Sequence, residues 1–295
     1  MSTPETRRTP VKPSRRSERD FPRLVRVKLP AVLWQASWLR HKPLPRQRVM
    51  MFHIGRSGST VLADLLEQHP DVTWKGEYIR KFYAALDQRG LERFSLPADP
   101  ERLLLDVMAG VQTTYFGVET KFFHLAQLGT SLEAYLDTLA RMNFFHLIVL
   151  ERRNYIRKIV SSVVARKRRM YRQPRGTPAE LTRIVLQPEK VRIDRTEASL
   201  IELLDGYARD FERLRRLLQG RNALYLTYED DLLVDPLAGY RRIGAYLGLA
   251  PSAVQVRFGR SNPFPLESIL QNYGQVAEVL KGTPYEWMMD DDRGN

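Results

Sequence analysis

Between His53 and Thr60 the chain reads HIGRSGST, a segment with two glycines, one arginine and three hydroxyl side chains. An apolar run, VMMFHI (49–54), precedes the glycines, and the helical repeat TVLADLLEQH follows them. A strand that turns into a helix at glycines aims successive backbone N–H groups, and the positive end of the helix, at whatever sits in the turn. Anions are the natural guests. In the nucleotide-binding pattern GxxxxGK[ST], aligning the second glycine on Gly58 puts Ser59 where the lysine belongs and His53 where the first glycine belongs. No lysine reaches for β and γ phosphates in that register, although Arg56 approaches from within the loop. The apolar run at Phe145–Leu150 leads into Glu151 and Arg152, so it supplies no aspartate for Mg²⁺. A cradle built from Gly55, Arg56, Ser57, Gly58, Ser59 and Thr60 therefore suits isolated phosphate and sulfuryl groups better than a metal-bound triphosphate.

The elements that must hold this loop follow from periodicity. Phe116–Phe123, Phe145–Leu150 and Ala223–Thr227 have strand length and strand composition. Helical patterns at Tyr155–Tyr171 and Ala198–Leu218 lie between them. Such alternation predicts an α/β domain with a parallel sheet flanked by helices, of the P-loop NTPase-like kind, over residues 46–295. Residues 1–45, rich in Ser, Thr, Pro and Arg, bury too little surface to offset the entropy of ordering and read as a basic, flexible arm. Within that arm Leu29–Leu39 carries Trp34 and Trp38 one helical turn apart. It is a candidate for docking on the domain or for peripheral membrane contact.

At 295 residues and 43% hydrophobic the chain can bury a sizeable core without staples. The absence of cysteine excludes disulfide frameworks, cysteine zinc sites, iron–sulfur clusters and a cysteine nucleophile. No apolar run approaches the ~18–20 residues of a membrane span, and no apolar leader opens the chain. The expectation is a soluble, cytoplasmic protein. The net charge of +13 is concentrated: residues 1–48 hold 13 basic against 3 acidic side chains, and residues 152–195 hold 14 against 3. The rest is mildly acidic. That distribution favours local anion recognition over the even basic coat of a chromatin or ribosomal protein, and no nucleic-acid partner is expected.

The stretch GRSGSTVLADLLEQHP resembles the 5′-phosphosulfate loop of sulfotransferases that use 3′-phosphoadenosine-5′-phosphosulfate (PAPS). The similarity is to the bacterial and carbohydrate-acting branch, whose loop reads RSGST or RSGSS. A second segment, HLIVLERRNYIRKIVSSVVA (146–165), is similar to the family's 3′-phosphate motif, an arginine followed eight residues later by a serine. Arg153 and Ser161 match it, and an arginine fork beside a helix hydroxyl is a sensible phosphate grip. The stretches 223–249 and 260–285 resemble the closing part of bacterial sulfotransferases, so the likeness spans about 48–288. Arg257 and Arg260 are minor candidates for holding the nucleotide there.

The resemblance implies PAPS as donor, PAP as product, no metal, and a hydroxyl-bearing glycan, lipopolysaccharide or glycolipid as acceptor. Sulfuryl transfer needs a base for the acceptor proton and positive charge for the transferred group. Glu77, after the expected second strand in WKGEYI, is the candidate base, as in the similar trehalose-acting enzymes. Arg56 is the candidate for charge stabilisation, joined by Lys121, whose GVETK resembles the family's GxK-like strand. Histidines compete for the base role. His53 on its strand reads as a core residue, His124 and His146 are less well placed, and His41 and His69 lie in the arm and at a helix end. The basic run Arg166–Arg169, with Arg172 and Arg175, reads as a flap over an anionic acceptor or as a solvated face. Two rivals stand beside this reading, a P-loop-type small-molecule kinase and a basic nucleic-acid or membrane binding module.

Overall fold

The computed structural model describes residues 44–88 and 99–290. In chain order the first half contains β1 (Gln47–His53), α1 (Ser59–Glu67), β2 (Val72–Glu77), α2 (Tyr78–Gln88), α3 (Pro100–Met108), β3 (Tyr115–Lys121), α4 (Phe122–Leu128) and α5 (Leu132–Arg141). The second half contains β4 (His146–Glu151), α6 (Tyr155–Arg168), β5 (Val191–Ile193), β6 (Thr196–Ala198), α7 (Leu200–Leu217), β7 (Ala223–Thr227), α8 (Tyr228–Asp231), α9 (Pro236–Leu247), α10 (Leu266–Ile269) and α11 (Tyr273–Leu280), with a 3₁₀ turn at Glu286–Met289. The arm segment with Trp34 and Trp38, and His41, lie outside the described residues.

Five strands form one sheet in the order β2-β3-β1-β4-β7, and every neighbouring pair is parallel. This is the α/β architecture that the alternation predicted. All five strands end on the same edge, and chain order reverses at β1, which lies between β3 and β4. Ligands of open α/β sheets bind at such a reversal, beyond the carboxyl ends of the strands.

Both faces of the sheet are covered, which is why its strands are apolar on both sides. Met50 and Phe52 of β1 face a large core with Phe116, Val118, Leu147 and Val149, packed by α3, α5, α6 and α7. Val49 and Met51 point the other way, into a smaller core with Ile148 and Leu150, closed by Leu62, Leu65 and Leu66 of α1 and Ile243 of α9. Each of those fully buried leucines contributes roughly 1.5–3 kcal/mol, so α1 is anchored beneath the loop that precedes it.

The periodicity argument named no strand between α6 and α7. β5 and β6 form an antiparallel hairpin of three residues a side, too short for a repeat to register. Its turn places both Asp194 (φ 50°) and Arg195 (φ 66°) in the left-handed region, as a two-residue hairpin turn of the right twist requires.

Candidate active site

The glycine loop leaves β1 at the centre of the sheet edge. Gly55, Arg56 and Gly58 have φ of 77°, 56° and 85°, so the backbone coils tightly before α1 begins. Gly58 is required twice. Its φ is left-handed, and a Cβ there would lie 2.6 Å from Leu232 Cδ1. It also opens α1 with no side-chain cap, which leaves first-turn N–H groups facing the cavity.

Buried polar contacts surround the loop's start. The Gly55 N–H donates to His53 Nδ1 (3.0 Å), His53 Nε2 lies 3.1 Å from Glu119 Oε2, and Trp74 Nε1 donates to Glu119 Oε1 (2.8 Å). His53 is the core residue that the sequence suggested. His53, Glu77 and Glu119 bring ligand-type atoms within 4.8 Å of one another. The Gly55 N–H and the Trp74 indole N–H engage His53 Nδ1 and Glu119 Oε1, whereas His53 Nε2 is buried beside Glu119 Oε2 without a hydrogen-bond partner among the described residues. Trp74 reaches Glu119 by crossing β3 at Gly117, where an added Cβ would sit 1.9 Å from the indole.

Two cavities open on either side of the loop. The smaller, about 440 Å³, is lined by Arg56, Gly58 to Val61, Arg152, Ser161, Tyr228 and the 258–262 segment. The larger, about 820 Å³, is lined by Gly55, Arg56, Ser59, Thr60, Glu77, Lys121 and several arginines. Arg56, Ser59, Thr60, Tyr171 and Arg172 line both.

Arg56 stands between the cavities. Its Nε donates to Ser161 Oγ (3.0 Å), Nη1 to the Tyr171 carbonyl (2.8 Å) and Nη2 to Ser261 Oγ. Burial lowers its pKa from the usual guanidinium value. Arg152 supports it from below, donating to the Arg56 carbonyl (2.7 Å) and stacking on Tyr228 with 4.5 Å to the ring centroid. Burial pushes Arg152 down to about 10. Among the described residues, Arg152 Nε and Asn262 Oδ1 are buried in this wall without a hydrogen-bond partner. An anion would satisfy the Arg152 N–H, and a donor on the guest would satisfy Asn262 Oδ1.

Glu77 ends β2 after an irregularity in the pairing with β3, where Gly76 (φ 63°) turns the strand. The bulge re-aims the carboxylate across β3 at Lys121, whose Nζ lies 2.9 Å from Oε1. Arg80 Nε (3.6 Å) and His124 Nε2 (3.8 Å) approach Oε2. Burial by itself pushes this carboxyl up, but the Lys121 charge, with smaller help from His53, the Lys121 hydrogen bond and His124, outweighs it and holds Glu77 at about 2. Burial, reinforced by Lys121, pushes His124 down to about 3 against the pull of Glu77. His124 is therefore neutral at ordinary pH, and its Nδ1 accepts from the Lys121 N–H (3.2 Å).

The structure thus brings Gly55, Arg56, Gly58, Ser59, Thr60, Glu77, Lys121 and Ser161 to one pair of adjoining cavities. Two other candidates are placed elsewhere. The Ser57 side chain is fully buried and lines neither cavity. Arg153 turns to the rim, where Nη2 meets Asp230 Oδ1 (2.6 Å) and its backbone N–H donates to Glu229 (3.0 Å). Thr227 caps α8, accepting from the Asp230 N–H (3.1 Å). Of the remaining histidines, His69 bonds to Asp71 and Ala250, and His146 bonds to Gln47 at the opposite end of the sheet. Arg260 lines the smaller cavity, whereas Arg257 leans toward Asp64 (3.7 Å). Arg152, Tyr228, Ser261 and Asn262 were not singled out as ligands by the sequence. Only the doubled arginine after β4 gave a signal.

No protein-family profile matches the chain, and no curated protein sequence matches it. Among solved structures the chain is similar to a sulfotransferase from Alicyclobacillus acidocaldarius, at 15% identity over 80% of this chain and 91% of that one, with a TM-score of 0.42. At that distance no residue's role carries across. The parallel sheet, flanked by helices, defines an α/β protein with a glycine loop at the reversal point between two cavities. Among the described residues, no helix is long and apolar enough to cross a membrane.

Proposed function

We propose that this protein is a sulfotransferase that moves the sulfuryl group of PAPS to a hydroxyl of a carbohydrate, lipopolysaccharide or glycolipid acceptor by direct in-line transfer. The observation that carries the reading is the meeting of two cavities at one glycine loop, with Arg56 in both and a carboxylate–lysine pair in the larger. PAPS supplies the activated sulfuryl group. The smaller cavity holds the nucleotide, with the loop N–H groups and the start of α1 on its 5′ side and Arg152, Ser161 and Asn262 in the wall. Arg153 remains a candidate for the 3′-phosphate, because at 47% exposure its Asp230 partner is exchangeable for a stronger anion. In the larger cavity Glu77 takes the acceptor proton once Lys121 turns from it to the transferred group and the carboxyl regains its basicity, and Lys121 and Arg56 provide positive charge beside that group. The setting is cytoplasmic, with the arm as a route to a membrane surface.

Thermal stabilisation by PAP tests the donor. A ligand of the folded state at a hundred times its Kd contributes about 2.7 kcal/mol, or roughly 5–10 °C for a domain of this size. That shift is expected with PAP and to be lost in Arg56→Ala and Arg152→Ala, with Arg153→Ala reporting whether the rim arginine swings in. No shift with PAP, and a shift with ATP plus Mg²⁺, would replace the sulfotransferase by a kinase.

A further inference from the structure

The larger cavity carries more positive charge than a PAPS site and a proton transfer require. Lys121 and Arg80 balance Glu77, and Lys158 takes up Asp194, the only other carboxylate in the lining. Arg166, Arg169, Arg172 and Arg192 remain on the same rim. Among the described residues none of these four meets a carboxylate.

Their placement is not that of a solvated helix end. The negative pole of α6 favours Arg166 in its last turn, but it does nothing for Arg172 beyond the helix or Arg192 on β5. Arg166 Nη1 donates to the Arg192 carbonyl (2.8 Å), which ties the hairpin to the helix. Val191 and Ile193 are buried on either side of Arg192, so strand alternation fixes that guanidinium outward. Arg169 caps α6 in the left-handed region at φ 54°, a position where glycine is the cheaper residue. The chain turns there and sends Arg172 toward Phe258, 5.8 Å from its ring.

We infer that this rim is a polyanion subsite, and that the acceptor carries at least two phosphate, sulfate or carboxylate groups near the hydroxyl that is modified. The acceptor role rests on the sulfotransferase reading, while the anion site stands on its own geometry. An uncharged acceptor leaves four guanidinium groups on one rim without an anionic partner, whereas a multiply charged glycan pairs them through forked hydrogen bonds.

The test uses the full-length protein with saturating PAP and a fluorescent heparin-derived tetrasaccharide, with maltotetraose as the neutral control. Saturable, salt-sensitive binding of the sulfated probe alone is expected. In the triple variant Arg169→Ala/Arg172→Ala/Arg192→Ala the Kd should rise about tenfold or more, while Arg216→Ala/Lys281→Ala, remote from the cavity, should bind as the wild type does. Equal binding by the triple variant, or no saturable binding to wild type, overturns the inference. So does binding to phosphatidylserine vesicles that needs the three arginines when the tetrasaccharide does not bind, since the rim is then a membrane contact. If PAP gives no stabilisation yet the probe binds through these arginines, the sulfotransferase reading fails and the anion subsite is upheld.

Discussion

Replacing Glu77 by glutamine removes a charge that the fold holds far from its ordinary behaviour, and the size of the effect depends on pH. The carboxyl is held at about 2 against an ordinary 4.5, and it is only 18% exposed, so little of its pairing is lost to solvent. A separation of about 2.5 corresponds to about 3 kcal/mol of pH-dependent stability. Because the folded value lies below the unfolded one, that stability is complete well above pH 4.5 and disappears as pH falls through about 2. At pH 3 the same relation leaves about 1 kcal/mol. Urea unfolding of wild type and Glu77→Gln at pH 7 and pH 3 should therefore show a stability difference that shrinks by about 2 kcal/mol on acidification. Any fixed cost of the amide cancels between the two pH values. A difference that stays constant within about 0.5 kcal/mol would refute the Lys121–Glu77 pairing as the source of the low value. In the sulfotransferase reading the same variant loses about 10²–10⁴-fold in turnover.

Gly117→Ala drives a methyl into Trp74, and the overpacking should cost about 1–3 kcal/mol or more in urea unfolding. Lys158 is fully buried, and desolvation, only partly offset by Asp194, pushes it down to about 8 from 10.5. The unfolded chain thus holds that proton to higher pH, so wild-type stability relative to Lys158→Met should rise between about pH 8 and 10.5, as denaturation at stepped pH will read.

The loop and the individual strands were legible because both are local. HIGRSGST announces a strand–turn–helix junction through its glycines, and the apolar runs around it have the length of buried strands. Glu77 and Lys121 were each found as strand ends in the resemblance, but their pairing was not. It depends on the Gly76 bulge and on β3 inserting between β2 and β1, and neither leaves a periodic trace. Arg152 and Arg153 are adjacent and chemically equal in the sequence. Their roles separate only because Tyr228 offers a ring to one and Asp230 a carboxylate to the other, some seventy-five residues away. The hairpin that brings Arg192 to the cavity is invisible for a simpler reason, since three-residue strands carry no repeat.

The three tethers of Arg56 have a thermodynamic meaning. Ser161 belongs to α6, Tyr171 to the chain after it and Ser261 to the segment that closes the smaller cavity, so one guanidinium ties together walls of both. Any ligand that draws this group toward the loop pulls on all three, and the second cavity then meets its own guest with altered edges. In the sulfotransferase reading the affinities at the two cavities should therefore be linked, by the same factor in each direction, as titrating PAP with and without the acceptor would show.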